Sequence, residues 1–374
     1  MLDCVRSGQG TLAAAMLALV LLAPAPAARA APTVGGLAQS IVVRTTENVI
    51  EGGWSELLRL CRTYGIARVE LLLKQDEDDF HSWSTHRVLQ SGELLVALPG
   101  ERTAAGWEDS GWLRAMINEA HASGIEVFAW WPAFHDAQMA QTDPGNTYIN
   151  ASGQVFVDPA VPAFRTRQEE LLLKLLQNYE LDGVSLDWIR YDDWDGGLRG
   201  PLAERFHAEF GVYPDWALFE GADRRYVTRW NELRRGELNA WIARITAFSR
   251  AHRPSLGWAA FVLPWQFEEV SQDYSGFSAA GLDRLQPMAY WQGWNYSPQW
   301  AGSLVDPRLT APTRYWPTLN ASYDPAELQQ ALQSMPRAAL GGINWFNYGH
   351  WEEQDFIRIQ QTLASYAEIQ GQMQ

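Results

Sequence analysis

The stretch Asp182-Gly183-Val184-Ser185-Leu186-Asp187-Trp188-Ile189-Arg190-Tyr191 reads as a short buried strand that ends in chemistry. Asp187 falls late in an apolar run, on the parity of Ser185 and Ile189, and is followed by Arg190 and by Asp192, Asp193 and Asp195. A carboxylate inside an apolar strand is costly to bury unless it is paired or functional. Asp187 is therefore the leading catalytic candidate, and a structural ion pair with Arg190 is the alternative.

Outward from this run, β-rich segments alternate with helix-period segments along the chain. Strands are expected at 41–45, 68–74, 125–131, 183–191, 256–263, 284–291, 314–320 and 341–348, with helices between them, such as 54–64, 111–123, 164–179, 223–252 and 324–334, and a last one at 352–369. Such alternation implies right-handed βαβ units and a parallel sheet. Eight units in one chain favour a closed barrel over an open sheet, and no glycine-rich phosphate loop follows any strand. The expected architecture is α/β: a single (β/α)8 TIM barrel over 31–374, with long βα-loop insertions, 75–110 and 134–162, after strands two and three. In such barrels the working face is built from the βα loops.

Residues 1–30 read differently. Arg6, the apolar run 12–23 and the small-residue ending Ala28-Arg29-Ala30 have the order of a signal peptide cleaved before Ala31. The apolar run is shorter than the roughly 20 residues a spanning helix needs. The expectation is an exported protein, periplasmic or extracellular, with no membrane span after cleavage. Only Cys61 then remains, so no internal disulfide forms, and a buried structural thiol is the expected state. A net charge of −15 repels phosphate backbones, which argues against nucleic acid or an anionic membrane as partner. No His-x-His spacing supports a metal site, and neither a metal nor a cofactor is expected.

The 19 tryptophans gather near strand ends. Their flat faces and hydrogen-bonding edges suit sugar rings, although many will also fill the space between barrel and helices. Expected at the mouth are Trp130, Trp131 and His135 after strand three and Arg190 after strand four. Tyr290 and Trp291 follow from strand six, and Asn347, Tyr348 and His350 from strand eight; all are assigned to substrate binding.

Beyond this reading of the residues, the chain resembles the bacterial glycoside hydrolase-like family 10 proteins (the DUF187 group). The resemblance rests on Gly124-Ile125-Glu126-Val127-Phe128-Ala129-Trp130-Trp131, on Val157-Asp158-Pro159-Ala160 with Pro162, and on 179–191. The segments 282–291 and 341–351 are similar to that family's sixth and eighth strands. The resemblance implies a (β/α)8 fold, export, action on bacterial glycans, and the family's strand-four aspartate at Asp187. Asp192 stands where the usual proline follows the tyrosine, and Met288 where many members carry glutamine. Family 18 chitinases carry DGxDxDxE on the same strand; Ser185 and Ile189 replace the middle aspartate and the glutamate here, so that mechanism cannot run.

Glycoside hydrolysis normally uses two carboxyl groups, one giving a proton to the leaving oxygen and one attacking or activating water. Asp187 is the expected ionised partner. The acid is expected from a loop: Glu268 or Glu269 after strand five, Asp192 or Asp193 after strand four, Asp78 or Asp79 after strand two. The function expected is an exported glycosidase acting on a bacterial polysaccharide or cell-wall glycan. The alternative is a non-catalytic polysaccharide-binding protein of an exopolysaccharide or envelope machinery.

Overall fold

Eight short runs of alternating side chains account for the architecture. The computed structural model describes residues 37–45, 53–82, 87–104, 111–192, 196–264, 270–305, 313–347 and 351–372. The barrel strands are Ala38–Val43, Arg68–Leu72, Glu126–Pro132, Gly183–Asp187, Gly257–Val262, Arg284–Pro287, a seventh in two pieces, and Gly342–Phe346. Neighbours pair in parallel, and the eighth pairs with the first, Gly342 opposite Ala38. The seventh strand breaks at Trp316-Pro317. Its first piece, Arg314–Tyr315, pairs with the sixth strand, and its second, Thr318–Asn320, pairs with the eighth. The Ala289 amide also donates to the Thr318 carbonyl at 2.9 Å, so the ring closes across the break.

The two faces of each strand have separate environments, as the two-residue period requires. Val69, Leu71, Val127, Ala129, Trp131, Val184, Leu186, Trp258 and Trp345 belong to the large core between barrel and helices. That shell includes Gly53–Thr63, Gly111–Ala122, Pro162–Asn178, Arg225–His252, Pro325–Ser334 and Glu353–Gln372. Cys61 is a buried free thiol in this core. The inward parity carries a second, smaller cluster that includes Val42, Leu72, Trp130, Phe261 and Phe346, with Met288 and Tyr290 packed on it.

Below that cluster the interior is polar. Gln286 Nε2 donates to Glu70 Oε1 at 2.6 Å, and Ser40 Oγ donates to Asn344 Oδ1 at 2.7 Å. Burial pushes the Glu70 carboxyl up, opposed by the charge of Arg68. At the amino-terminal end, Arg68 and Arg284 stand over the rings of Phe128 and Trp316 at 3.9–5.3 Å. Glycine is required there: a Cβ on Gly183 would lie 2.2 Å from the Phe128 ring and 2.5 Å from the Gly257 carbonyl.

The connection after strand two carries a hairpin, Phe80–Ser82 with Arg87–Leu89. The one after strand three carries a helical turn, Ala137–Ala140, and a hairpin, Thr147–Ile149 with Val155–Val157. These two connections are tied together in the interior. Lys74 Nζ pairs with Asp136 Oδ2 at 2.7 Å and donates to the carbonyls of Pro132 and Ala133, with both side chains buried. Among the described residues, no helix is long and apolar enough to cross a membrane.

Candidate active site

Strand four is shorter than 183–191. It stops at Asp187 because Trp188 takes φ +52°, a left-handed conformation that a tryptophan adopts only when its surroundings impose it. The alternation therefore breaks there. Ser185 and Asp187 face the interior, whereas Ile189 turns into the outer core. The strained residue helps place the carboxylate, because the Trp188 amide donates to Asp187 Oδ1 at 2.7 Å. Trp130, two residues before the end of strand three and on the inward parity, donates its indole N–H to Asp187 Oδ2 at 3.0 Å. Burial raises the affinity of Asp187 for a proton; the charges of Arg190 and Arg44 and these two N–H donors work the other way.

A second buried carboxyl group lies near enough to feel its charge. Asp76 follows strand two, and its Oδ1 accepts from Arg44 Nη1 at 2.8 Å, while Arg44 Nη2 reaches Glu77 at 2.9 Å. Burial pushes Asp76 up to about 7; Arg44 opposes this, and the neighbouring charges of Glu77 and Asp187 add to it. Two buried carboxyls that feel each other's charge do not both ionise readily. Asp187 receives N–H donors on both oxygens, which favours its charged form, whereas Asp76 is held by the Arg44 guanidinium. Arg44 also stands 5.3 Å from the Trp130 ring, which joins the two halves of the pair.

His135 fixes this arrangement from below. It is fully buried, and Nδ1–H donates to the Asp76 carbonyl at 2.8 Å while Nε2 faces Asp78 Oδ2 at 2.9 Å. Against the pull of burial, hydrogen bonds from His135 and Ser91 hold the Asp78 carboxyl down, at about 2. The imidazole also packs on Phe156 and Trp188, at 5.0 and 4.5 Å between ring centres. Trp188 itself is partly exposed, and the Arg190 guanidinium lies 3.9 Å from its ring.

Several expectations need correction. Trp131 and Trp291 are fully buried and face the helices: Trp131 donates to Gln168 Oε1 at 3.0 Å, and Trp291 packs on Tyr323 and donates to Glu327 at 3.2 Å. Adjacent residues on a strand point to opposite faces, so Trp130 and Trp131 cannot both serve the mouth. His135 is buried under Trp188 and positions Asp76, so it is not a substrate contact. Asp192 has one oxygen on Arg190 Nε and the other on Asn150 Nδ2, so it anchors Arg190 and is a poor candidate for the acid. Asp78 is likewise held by four donors from Ser91, His135 and Val155. Asn347 donates to Asp355 at 2.9 Å at the start of the last helix. Tyr290 is partly exposed, with its ring 5.8 Å from that of Phe346. Glu268, Glu269, Asp193, Tyr348 and His350 lie outside the described residues. Sequence reasoning missed Asp76 and Arg44. The available signal was Arg44 lying two residues beyond the inward-facing Val42.

No family model and no curated protein matches the chain. Solved structures do. The glycoside hydrolase domain of PgaB (BpsB) from Bordetella bronchiseptica superposes with a TM-score of 0.62 at 14% identity, over 89% of this chain and 98% of that one. The chain has the fold of barrel glycosidases. A β-galactosidase from Halorubrum lacusprofundi matches with a TM-score of 0.61 at 11% identity, over 88% of this chain and 58% of its own. The α-L-fucosidase isoenzyme 2 of Paenibacillus thiaminolyticus matches at 0.57 and 12% identity, over 90% and 50%. This chain thus spans little more than half the length of the last two proteins.

Proposed function

We propose that the protein is an exported glycosidase that hydrolyses a bacterial polysaccharide or cell-wall glycan, in line with its resemblance to glycoside hydrolase-like family 10. The observation that carries this reading is the pair Asp187 and Asp76, two buried carboxyl groups following strands four and two, one held by two N–H donors and the other by Arg44. Unlike surroundings are how two carboxyls divide acid and base work. Asp76 gives its proton to the glycosidic oxygen as the bond to the anomeric carbon breaks. Asp187, ionised, meets the positive charge that develops on that carbon, and water adds its hydroxyl there while its other proton returns to the Asp76 carboxylate. Arg44 holds Asp76 in place, and Arg190 with Asp192 holds the Trp188 ring as a floor for a pyranose. Residues 1–30 serve as the signal peptide.

The deciding experiment incubates the wild-type protein and Asp187→Asn with a panel of bacterial exopolysaccharides and peptidoglycan, following reducing-end release. Release by wild type alone supports the reading, provided both proteins melt alike. Equal release by both sinks it. Binding without release at long incubation would return the protein to the non-catalytic alternative.

A further inference from the structure

The chain changes character after strand six. From Leu285 to Val305 there is no Asp, Glu, Lys or Arg, in a protein of which 20% of residues are charged and whose net charge is −15. The same stretch holds Tyr290, Trp291, Trp294, Tyr296 and Trp300. Trp291 belongs to the core, but Trp294, Tyr296 and Trp300 line a surface loop that carries no charge of its own.

Its rings form a continuous series that begins at the catalytic carboxylate. Trp130, the Asp187 donor, lies 6.1 Å from Phe346 between ring centres, and Phe346 lies 5.8 Å from Tyr290. Tyr290 is followed by Trp294 at 5.8 Å, Trp300 at 5.6 Å and Tyr296 at 4.5 Å, the last pair stacked within 13° of parallel. Exposure grows along the series. Trp130 is buried, Tyr290, Trp294 and Trp300 are partly exposed, and Tyr296 is 46% exposed. The loop is fixed from behind. Asn295 at φ +58° makes the turn, and the Tyr296 amide closes onto the Trp291 carbonyl at 2.8 Å. Gln292 and Gln299 reach Glu327 and Gln330 of the helix Pro325–Ser334, each at 2.7 Å.

Aromatic faces left partly wet on an anchored loop cost hydration and are retained where a ligand covers them. The absence of charge selects among ligands. A phosphate backbone or an acidic peptide would need cations, and a basic peptide would need carboxylates; pyranose rings offer C–H faces to the aromatics and hydroxyls to Gln292 and Asn295. We infer that the loop after strand six is a binding arm for uncharged saccharide units of the same glycan chain whose glycosidic bond lies at Asp187. It rests on the glycosidase reading above and adds that the enzyme grips its polymer beyond the cleaved bond, along the side of the mouth formed by strands six and eight.

The test uses Asp187→Asn, expected to bind without turnover, and the wild-type protein, each with and without Tyr296→Ala and, separately, Trp294→Ala. The probes are neutral oligosaccharides of increasing length: N-acetylhexosamine, β-glucan and α-glucan series, with binding read by tryptophan fluorescence and cleavage by reducing ends. Tyr296 is exposed, so its replacement leaves folding intact. The expected result is that affinity rises with chain length and that Tyr296→Ala removes about tenfold from the longest probes while the shortest are unaffected. An equal length dependence in both arm variants overturns the arm and leaves the Asp187 reading standing. Failure of the wild type to bind or cleave any probe, together with the exopolysaccharides and peptidoglycan above, overturns both. A change of oligomeric state on replacing Tyr296 would make the loop a self-association surface and overturn the arm.

Discussion

The two ends of the barrel interior are built from the same inward-facing positions and have opposite chemistry. At the amino-terminal end, the Arg68 and Arg284 guanidinium groups stand over Phe128 and Trp316, and glycines at 183 and 257 make room for Phe128. There the cations are dispersed over ring faces and the space is filled. At the carboxyl end the charges are carboxylates, Asp187 and Asp76, held by Arg44, Arg190 and indole and backbone N–H groups. One end spends its inward positions on packing and the other on raising proton affinities. Substitutions at the two ends should therefore fail in different assays.

The sharpest contrast is expected from Asp187→Asn. It should lower turnover by about a thousandfold or more, with a melting temperature close to that of wild type, because removal of a buried charge is offset by the loss of one acceptor for the Trp130 and Trp188 N–H groups; paired activity and calorimetry check this. Gly183→Ala is the converse. Its Cβ collides with Phe128 and with the Gly257 carbonyl, so it should cost about 3 kcal/mol of stability, measured by denaturant unfolding, while the activity of the folded fraction keeps its pH dependence. A loss confined to activity would mean that the closed end is not the stability element described.

Asp76→Asn should lower turnover about a hundredfold and remove the alkaline fall in activity. In wild type that fall is centred near pH 7, where Asp76 loses its proton. A pH–rate profile with the same alkaline limb in the variant would exclude Asp76 as the acid. A further effect is on stability. Between the ordinary aspartate value of about 3.9 and about 7, the folded protein holds a proton on Asp76 that the unfolded chain has released. Wild-type stability should therefore decline with rising pH across that window, and the decline should be shallower in Asp76→Asn. Urea midpoints at a series of pH values measure it.

The barrel was legible in the sequence because strand–helix alternation and two-residue periodicity are local signals. Asp187 was legible because a carboxylate stands out in Gly183-Val184-Ser185-Leu186. Asp76 was not, because it belongs to Gln75-Asp76-Glu77-Asp78-Asp79, where every residue is polar and no period separates one from the next. Only its apposition to Arg44 and Asp187, from strands one and four, distinguishes it. The tryptophans show a different limit. Parity alone separates Trp130 from Trp131, but Trp291 follows the end of strand six, where the strand's alternation no longer applies. The extension of strand four to Tyr191 failed because nothing local marks Trp188 for a left-handed conformation.

The break at Trp316-Pro317 has a dynamic consequence. Proline has no amide hydrogen to give to a ladder, and the seventh strand meets its neighbours in two short pieces instead of one continuous register. The barrel therefore has a seam. Native-state hydrogen exchange should find the amides of Trp316 and Ala289, which bridge strands six and seven, exchanging ahead of those joining strands two, three and four. The wall that opens first would be the one that carries the uncharged aromatic loop.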